Sequence, residues 1–334
     1  RHPHRIRLPA RLARRRPRTV RRDVADGGKA VFGGGGMIVE SLKSKVESQK
    51  LRSRQYSQIR SFTDSLILEE SMRYLKLIRR FIIIAFQDVL AYRMNFWISL
   101  LYSVLNLGTG VLGLVVLFGQ VETLRGWTLA STLALLGVYL TLGALRGLFI
   151  GPSLEALAGM DGEVWTGQFD FTLLRPVDVQ FLASFRHWRP LALLDLLLAL
   201  GVLGTGMAQM GQTLTPGRVL AFVIGMTAGL LILYAILLAF SALVFWSPGF
   251  LFTWLFNALL QTARYPVGLY PGWLRLVLTW IVPVGVMTTI PAQALSGDLP
   301  VGMLAGAVAL ALAFFAGATV LFRTGLRRYA SASS

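Results

Sequence analysis

Cysteine is absent from the 334-residue chain, and histidine occurs only at the scattered positions His2, His4 and His187. No disulfide framework and no Cys/His metal site can be built from that inventory, which removes several enzyme classes at once. Charge is scarce as well: 15% of residues are Asp, Glu, Lys or Arg, against 54% hydrophobic residues and a mean hydropathy of +0.61. So little polar side chain cannot solvate a globule of this length, and a membrane protein is the expected class. A phosphate-binding loop is missing too. The glycine-rich "GGKAVFGGGG" of residues 27–36 has neither the spacing nor the Ser/Thr of Gly-x-x-x-x-Gly-Lys-Ser/Thr.

The formal charge of +17 is unevenly spread. Residues 1–71 hold 17 Lys+Arg against 7 Asp+Glu, whereas residues 72–334 hold 16 against 9. Ten arginines fall in the first 22 residues without hydrophobic periodicity, and Gly33 to Gly36 is a glycine run, so this extension is expected to be disordered in isolation. It is not a secretion signal, because no apolar segment follows the charges. Two readings stand: a basic arm that touches anionic lipid or nucleic acid, or a segment without a native role, translation beginning at Met72 in "MRYLKLIRRFIII". Of nucleic acid and membrane lipid as partners of the whole chain, lipid is expected and nucleic acid is not.

From residue 72 the pattern becomes that of a polytopic, all-α membrane protein. Met72 to Arg93 alternates Arg73, Lys76, Arg79 and Arg80 with Leu75, Leu77, Ile78, Phe81 and Phe86, an amphipathic helix suited to the headgroup layer. Crossing ~30 Å of hydrocarbon takes roughly 20 helical residues. Charge-free runs of that order are Asn95 to Phe118, Gly126 to Leu145, Val219 to Trp246, Leu276 to Gly297 and Val301 to Phe322; Leu191 to Ala208 is interrupted only by Asp195. Six crossings are expected, and all are helices because backbone amides in lipid must be satisfied within each segment. The uncharged Pro248 to Ala263 is read as an interfacial or re-entrant helix. An alternative makes it the fifth crossing and folds the Pro283-containing segment as an outer re-entrant hairpin.

With both termini cytoplasmic, the inner side receives 14 basic residues from Arg73 to Arg328 and the outer side only Arg125 and Arg218. That asymmetry follows the positive-inside rule. It places the longest polar connection of the membrane part, Arg146 to Pro190, on the inside. Within it, Ser153 to Met160 is expected to form a short helix with Ser153 as N-cap and Glu155 in its first turn, and Pro176 to stop helix continuation beyond Arg175. A plain solvated loop and a helix that plugs into another protein are both compatible with these residues.

The stretch "GQFDFTLLRPVD" (Gly167 to Asp178) resembles the permease subunits of ABC-2 type transporters, in the branch whose inner loop carries Gly-x-x-Asp-x-x-Leu-Leu-Arg-Pro. "YRMNFWISLL" (Tyr92 to Leu101), "RYPVGLYP" (Arg264 to Pro271) and "IPAQALSG" (Ile290 to Gly297) extend the similarity in order over Met72 to Tyr329. The resemblance implies a permease domain over 72–331 that pairs as a homodimer, or as a heterodimer with a sibling permease, in the cell inner membrane. Each half docks on a separate ATP-binding cassette subunit, which carries the ATP and magnesium; no cofactor is expected in this chain, and it is not itself an enzyme. Export is driven as the cassettes close and the inner loop transmits the movement. The coupling residues so implied are Glu155, Asp161, Glu163, Trp165, Gly167, Asp170, Leu174, Arg175 and Pro176, with the amphipathic first helix as an interfacial elbow.

Other residues divide between architecture and function. Asp195 inside a crossing costs about 3 kcal/mol on insertion scales; it is a substrate or proton contact, or it snorkels toward Arg189 or Arg186. Gly225/Gly229 and Gly302/Gly306 have the spacing that lets helices approach closely, chiefly within the subunit. Pro283 and Pro291 break one segment and are candidates for an outer gate. Trp97, Trp127, Trp246, Trp273 and Trp280 flank spans as interfacial belts. No nucleophile with a base and no paired acids lie within the spans, which argues against an intramembrane enzyme. A non-ABC secondary transporter or channel is the rival class, although no convincing inverted repeat supports the former. Asn106, Thr109, Ser131, Thr132, Tyr139, Thr141 and Tyr234 are the polar candidates for a cavity, and they define no substrate class.

Overall fold

The computed structural model describes residues 73–89, 93–211, 213, 215–247, 249, 252–297 and 299–329. The basic extension 1–71, its glycine run and Met72 lie outside the described residues. Among those described the chain is helical, with one isolated antiparallel bridge between Leu124 and Trp127.

Helix α1 covers residues 73–89, with Arg73, Lys76, Arg79 and Arg80 exposed, Leu75, Ile83, Ile84 and Phe86 exposed with them, and Ala85 buried. Then come α2 (Arg93–Phe118), α3 (Leu129–Leu145), α4 (Gly151–Glu155), α5 (Phe169–Leu173), α6 (Val179–Phe185), α7 (Ala192–Met210) and α8 (Pro216–Leu243). The chain closes with α9 (Phe252–Gln261), α10 (Gly272–Leu276), α11 (Val284–Ser296) and α12 (Val301–Arg328). Five continuous helical stretches among the described residues are long and apolar enough to cross a membrane: Met94–Phe118, Leu129–Glu155, Ala192–Met210, Pro216–Leu243 and Val301–Arg328. At 1.5 Å per residue the shortest, 19 residues, reaches about 28 Å. The face carrying residues 146–190 is called the loop face below, and the face carrying the 119–128 and 211–215 connections the turn face.

Local chemistry sets the ends. Thr128 and Ser131 form a reciprocal capping box that starts α3, and Thr215 caps α8 with Pro216 in its first turn. Gly211 and Gly297 close α7 and α11 in the left-handed conformation. At the tip of the α2–α3 connection Arg125 (φ 49°) and Gly126 (φ 86°) both take positive φ, as a tight turn between Leu124 and Trp127 requires.

Close approach of backbones packs the bundle. A Cβ added to Gly137 of α3 would stand 2.6 Å from the Leu203 backbone of α7, and one added to Gly206 of α7 would stand 2.6 Å from Ala134 N of α3. Each helix thus offers a glycine to the other's backbone, the device by which helices associate where apolar surface gains nothing by leaving lipid. Gly225 and Gly229 of α8 do the same for Pro291 and Met287 of α11, so their spacing serves packing within the subunit. Pro291 has no N–H for the Met287 carbonyl four residues back, and that oxygen lies against Gly229. No side chain of the described residues comes within 4 Å of a Cβ placed at Gly302 or Gly306.

Two expectations change in the region 248–297. The run Leu276 to Gly297 is not one straight crossing: Gly272–Ile281 meets Val284–Ser296 at 87° around Val282 and Pro283. From that bend α11 runs antiparallel to α8, Met287 against Gly229, Pro291 against Gly225 and Gly297 against Arg218 at the turn face. Meanwhile the chain from Phe252 climbs through the bundle. Phe252 stacks on Phe240 near the loop-face end of α8, Asn257 meets Arg146, Arg264 meets Asn106 halfway along α2, and Gly268 O accepts from Arg125 at the turn face. These contacts carry the chain from the loop face to the turn face over residues 252–268, as the second layout has it, but α9 has only 10 residues and is not among the stretches long enough to cross a membrane, while the Pro283 segment is bent as that layout expects. Pro283 supplies the break because it cannot donate to a continuing helix and restricts Val282 before it. The basic residues shift accordingly. Arg275 joins Arg125 on the Gly268 carbonyl, and Arg264 lies inside the bundle.

Candidate functional site

The second span does not end at Leu145. A π-turn over Arg146–Ile150 carries it into α4 and on to Glu155. Two interactions make this possible. Arg146 donates to Glu155, its ion-pair partner, and to Asn257 Oδ1 at 2.8 Å, so its charge is met. Pro152 cannot donate to the Leu148 carbonyl, and Arg189 N takes that place at 2.9 Å. The expected N-cap at Ser153 is therefore not formed, because the helix is already running. Its hydroxyl instead accepts from His187 N at 2.8 Å and donates to His187 O at 3.1 Å, tying the start of the loop to its end.

Between these anchors the chain folds tightly. Glu163 N bonds the Ala156 carbonyl and Glu163 O accepts from Phe169 N. Gly162 sits where a Cβ would be 2.5 Å from Ala158 O, and Gly167 has φ 74°, so both positions require glycine. The Glu163 carboxylate is buried against Arg186 at 2.5 Å, and Arg186 also donates to Thr172 Oγ1 at 2.9 Å. Burial pushes the Glu163 carboxyl above its ordinary 4.5 despite Arg186 and Arg175 pulling it down. Burial and the neighbouring Arg186 hold His187 below its ordinary 6.5.

One side of the loop is pinned to the ends of α8 and α12. Phe169 is fully buried, its ring 5.4 Å from Phe245 and 5.5 Å from Tyr329. Burial and the Asp170 carboxylate beside it push the Tyr329 phenol up to about 12. Asp178 caps α6 by accepting from Phe181 N at 2.8 Å. Gln180 of that helix donates to Tyr234 Oη and Thr319 Oγ1, and Ser184 shares a hydrogen bond with Tyr234. Phe181 meets Tyr74, which brings α1 to the same face.

The other side is apolar and exposed. Leu174 is 80% exposed, Met160 70%, Phe171 68% and Trp165 53%, with Asp161, Arg175 and Pro176 exposed among them. The nine residues singled out in the sequence divide accordingly. Asp161, Trp165, Leu174, Arg175 and Pro176 lie on the exposed side, while Glu155, Glu163, Gly167 and Asp170 shape the loop from within. Met160 and Phe171 were missed, although alternation of Phe169, Phe171 and Leu174 about α5 carries a signal. Pro176 fits its expected role: α5 ends at Leu173, before it.

A second constellation lies deeper. A polar pocket of about 420 Å³ opens between α2, α3, α7 and α9, and Arg146, Glu155, Arg189, Asp195, Asn257 and Arg264 line it. Asp195 faces this pocket from the first turn of α7. Among the described residues it forms no ion pair with Arg186 or Arg189 within 4.0 Å, since Arg186 is taken by Glu163. Of the seven polar candidates, Asn106 and Tyr139 line the pocket. Thr141 bonds the Gly137 carbonyl, Thr109 bonds the Asn106 carbonyl, and Ser131 and Thr132 serve the start of α3. Pro283 and Pro291 lie in and beside the bent segment, and neither lines the pocket. Among the described residues no group of three or more His, Asp or Glu could hold a metal ion.

A search of curated proteins gives no match to the chain. A family model described as ABC-2 family transporter protein matches residues 104–333, more than half of the chain, including the loop, α8 and the climbing segment. A polytopic helical bundle of this arrangement matched over that length belongs to the ABC-2 transporter family.

Proposed function

We propose that the chain is the transmembrane permease subunit of an ATP-driven exporter, and that loop 146–190 couples it to a separate cassette ATPase. One observation carries the reading. The loop is apolar and exposed on one side through Met160, Trp165, Phe171 and Leu174, and is fastened on the other to α8 and α12, at their ends through Phe169 and further along through Gln180 and Ser184. Exposed apolar side chains rimmed by charge mark an interaction site. A push on this side is delivered to two long helices, because packed interiors transmit displacement instead of absorbing it.

In this mechanism the cassette binds ATP and magnesium, and closure of a cassette pair displaces the loop. The displacement tilts α8 and α12, and α11, packed on α8 through Gly225 and Gly229, moves with them. Pro283 and Pro291 then act at an outer gate, where α11 can reorient about its bend. A second permease, identical or sibling, completes the translocation path. The loop face is cytoplasmic with both termini, in the cell inner membrane. The basic residues support this side: twelve belong to the loop face by sequence position, against Arg125, Arg218 and Arg275 at the turn face. The motif branch with Leu173, Leu174, Arg175 and Pro176 is part of the same reading. Co-purification from native membranes tests it: recovery of a cassette ATPase whose turnover the chain changes supports coupling, and recovery of none contradicts it.

A further inference from the structure

We infer that the pocket between α2, α3, α7 and α9 holds a phosphate or carboxylate group on Arg264, as the recognition site for an anionic cargo within the bundle. The inference rests on the reading of the chain as a transport subunit. Arg264 stands halfway along the bundle: its Nη2 donates to Asn106 Oδ1 at 2.8 Å, at the midpoint of α2, and its guanidinium lies 5.6 Å from the centre of the Tyr139 ring. Among the described residues no carboxylate lies within 4.0 Å of it. Its Nε is buried and has no hydrogen-bond partner among the described residues. A cation at this depth is costly to place, and such residues pair with a counter-charge or mark a substrate path.

The other charges of the pocket do not neutralise it. Arg146 is already committed to Glu155 and Asn257, and the remaining lining charges, Arg189 and Asp195, are of opposite sign. Three arginines against two carboxylates leave one positive charge in excess. A guanidinium with a free edge suits a planar or tetrahedral oxyanion, which accepts two parallel N–H bonds where a lysine would offer a point charge. The lining is polar for the greater part, and Leu107, Leu140, Leu198 and Leu260 add an apolar side to it, which the exposed Leu101, Tyr102 and Leu105 continue along α2. This lining seats an acyl chain or other apolar body next to the anionic head, within a volume ordinary for a ligand site.

The test uses the full chain in phosphatidylcholine vesicles that carry a photoactivatable phosphatidic acid, without an ATPase, so that its outcome is independent of coupling. Wild type is expected to be labelled on α2 or α9, and Arg264→Gln to lose about tenfold of the labelling. Arg264→Lys should retain part of it, and Arg275→Gln, at the turn face, all of it. Unlabelled phosphatidic acid competing where inorganic phosphate does not assigns a lipid-like head; equal competition by inorganic phosphate assigns a free anion, and both support the site. Equal labelling by a zwitterionic photolipid, or undiminished labelling of Arg264→Gln, would overturn it. If Arg264→Gln is lost to misfolding, competition on the wild type decides: no competition by either anion contradicts the inference.

Discussion

Glu163 and Arg186 meet at 2.5 Å across the neck of the loop, 23 residues apart in the chain, and hold its two strands of turn together beneath the exposed side chains. The pair is partly screened, with side-chain exposures of 10% and 23%, so its worth lies below that of a fully buried ion pair. Removing one partner leaves the other uncompensated. Arg186→Ala should lower stability by about 2 kcal/mol, read as thermal unfolding of the purified chain and as faster proteolysis within residues 156–176. Replacing both partners by apolar residues should recover part of that loss.

The loop also carries opposed responses to pH. His187 has a depressed folded value, so the unfolded chain takes up a proton at 6.5 that the folded chain refuses. Its contribution to stability is lost as pH falls from 6.5 toward that depressed value. Glu163 has a raised folded value, so its contribution is present below 4.5 and is lost as pH rises through the raised value. Unfolding followed from pH 4 to 8 should therefore show His187→Gln flattening the fall toward acid near and below 6.5, and Glu163→Gln removing the fall toward neutral pH. A His187→Gln curve parallel to wild type would contradict the first assignment.

Close backbone approach between α3 and α7 makes a sharper demand. Gly137→Ala places a methyl 2.6 Å from the Leu203 backbone, which cannot move as a side-chain tip would. Overpacking of this kind costs about 1–3 kcal/mol. Gly302→Ala, at a helical position where no described residue lies within 4 Å of the added Cβ, should instead stabilise by about 0.4–1 kcal/mol, and the two melting temperatures measured side by side decide the point.

Much of the fold is legible in the amino-acid sequence, and particular residues show why. The ends of α2, α7 and α8 fall within a few residues of their apolar runs, and α12 begins where its run does but continues six residues past Phe322, because hydropathy and length decide a helix that need not bury a chosen face. The loop and its Leu-Arg-Pro stop were readable for the same reason: charge and proline interrupt the pattern locally. The continuation of α3 past Arg146 was not, since it depends on Asn257, 111 residues away, and on Arg189 N replacing the missing donor of Pro152. Nor was the bend at Val282 and Pro283 decidable, because an apolar run of that length fits a crossing and a hairpin equally. By sequence position Arg264 reads as an inner-side cation; its place beside Asn106 is set by the climb of the chain from Phe252, which no local signal records.

The absence of native cysteine opens a direct test of sidedness. Single substitutions Trp165→Cys and Arg175→Cys, both at exposed positions, should resist an impermeant maleimide added to intact cells and react once the membrane is opened. Gln120→Cys on the opposite connection should react in intact cells. Labelling of Trp165→Cys from outside would invert the arrangement.

The account stands most directly on the exposed side of the loop. Leu174→Glu changes a side chain that is 80% exposed and contributes nothing to the bundle, so the variant should fold and melt as wild type does. Pulled from native membranes, wild type is expected to bring a cassette ATPase whose turnover it alters, and Leu174→Glu to lose that partner or its response by tenfold or so, as loss of an apolar anchor at an interface does. Equal recovery and equal response from the two proteins would contradict the coupling role of the loop.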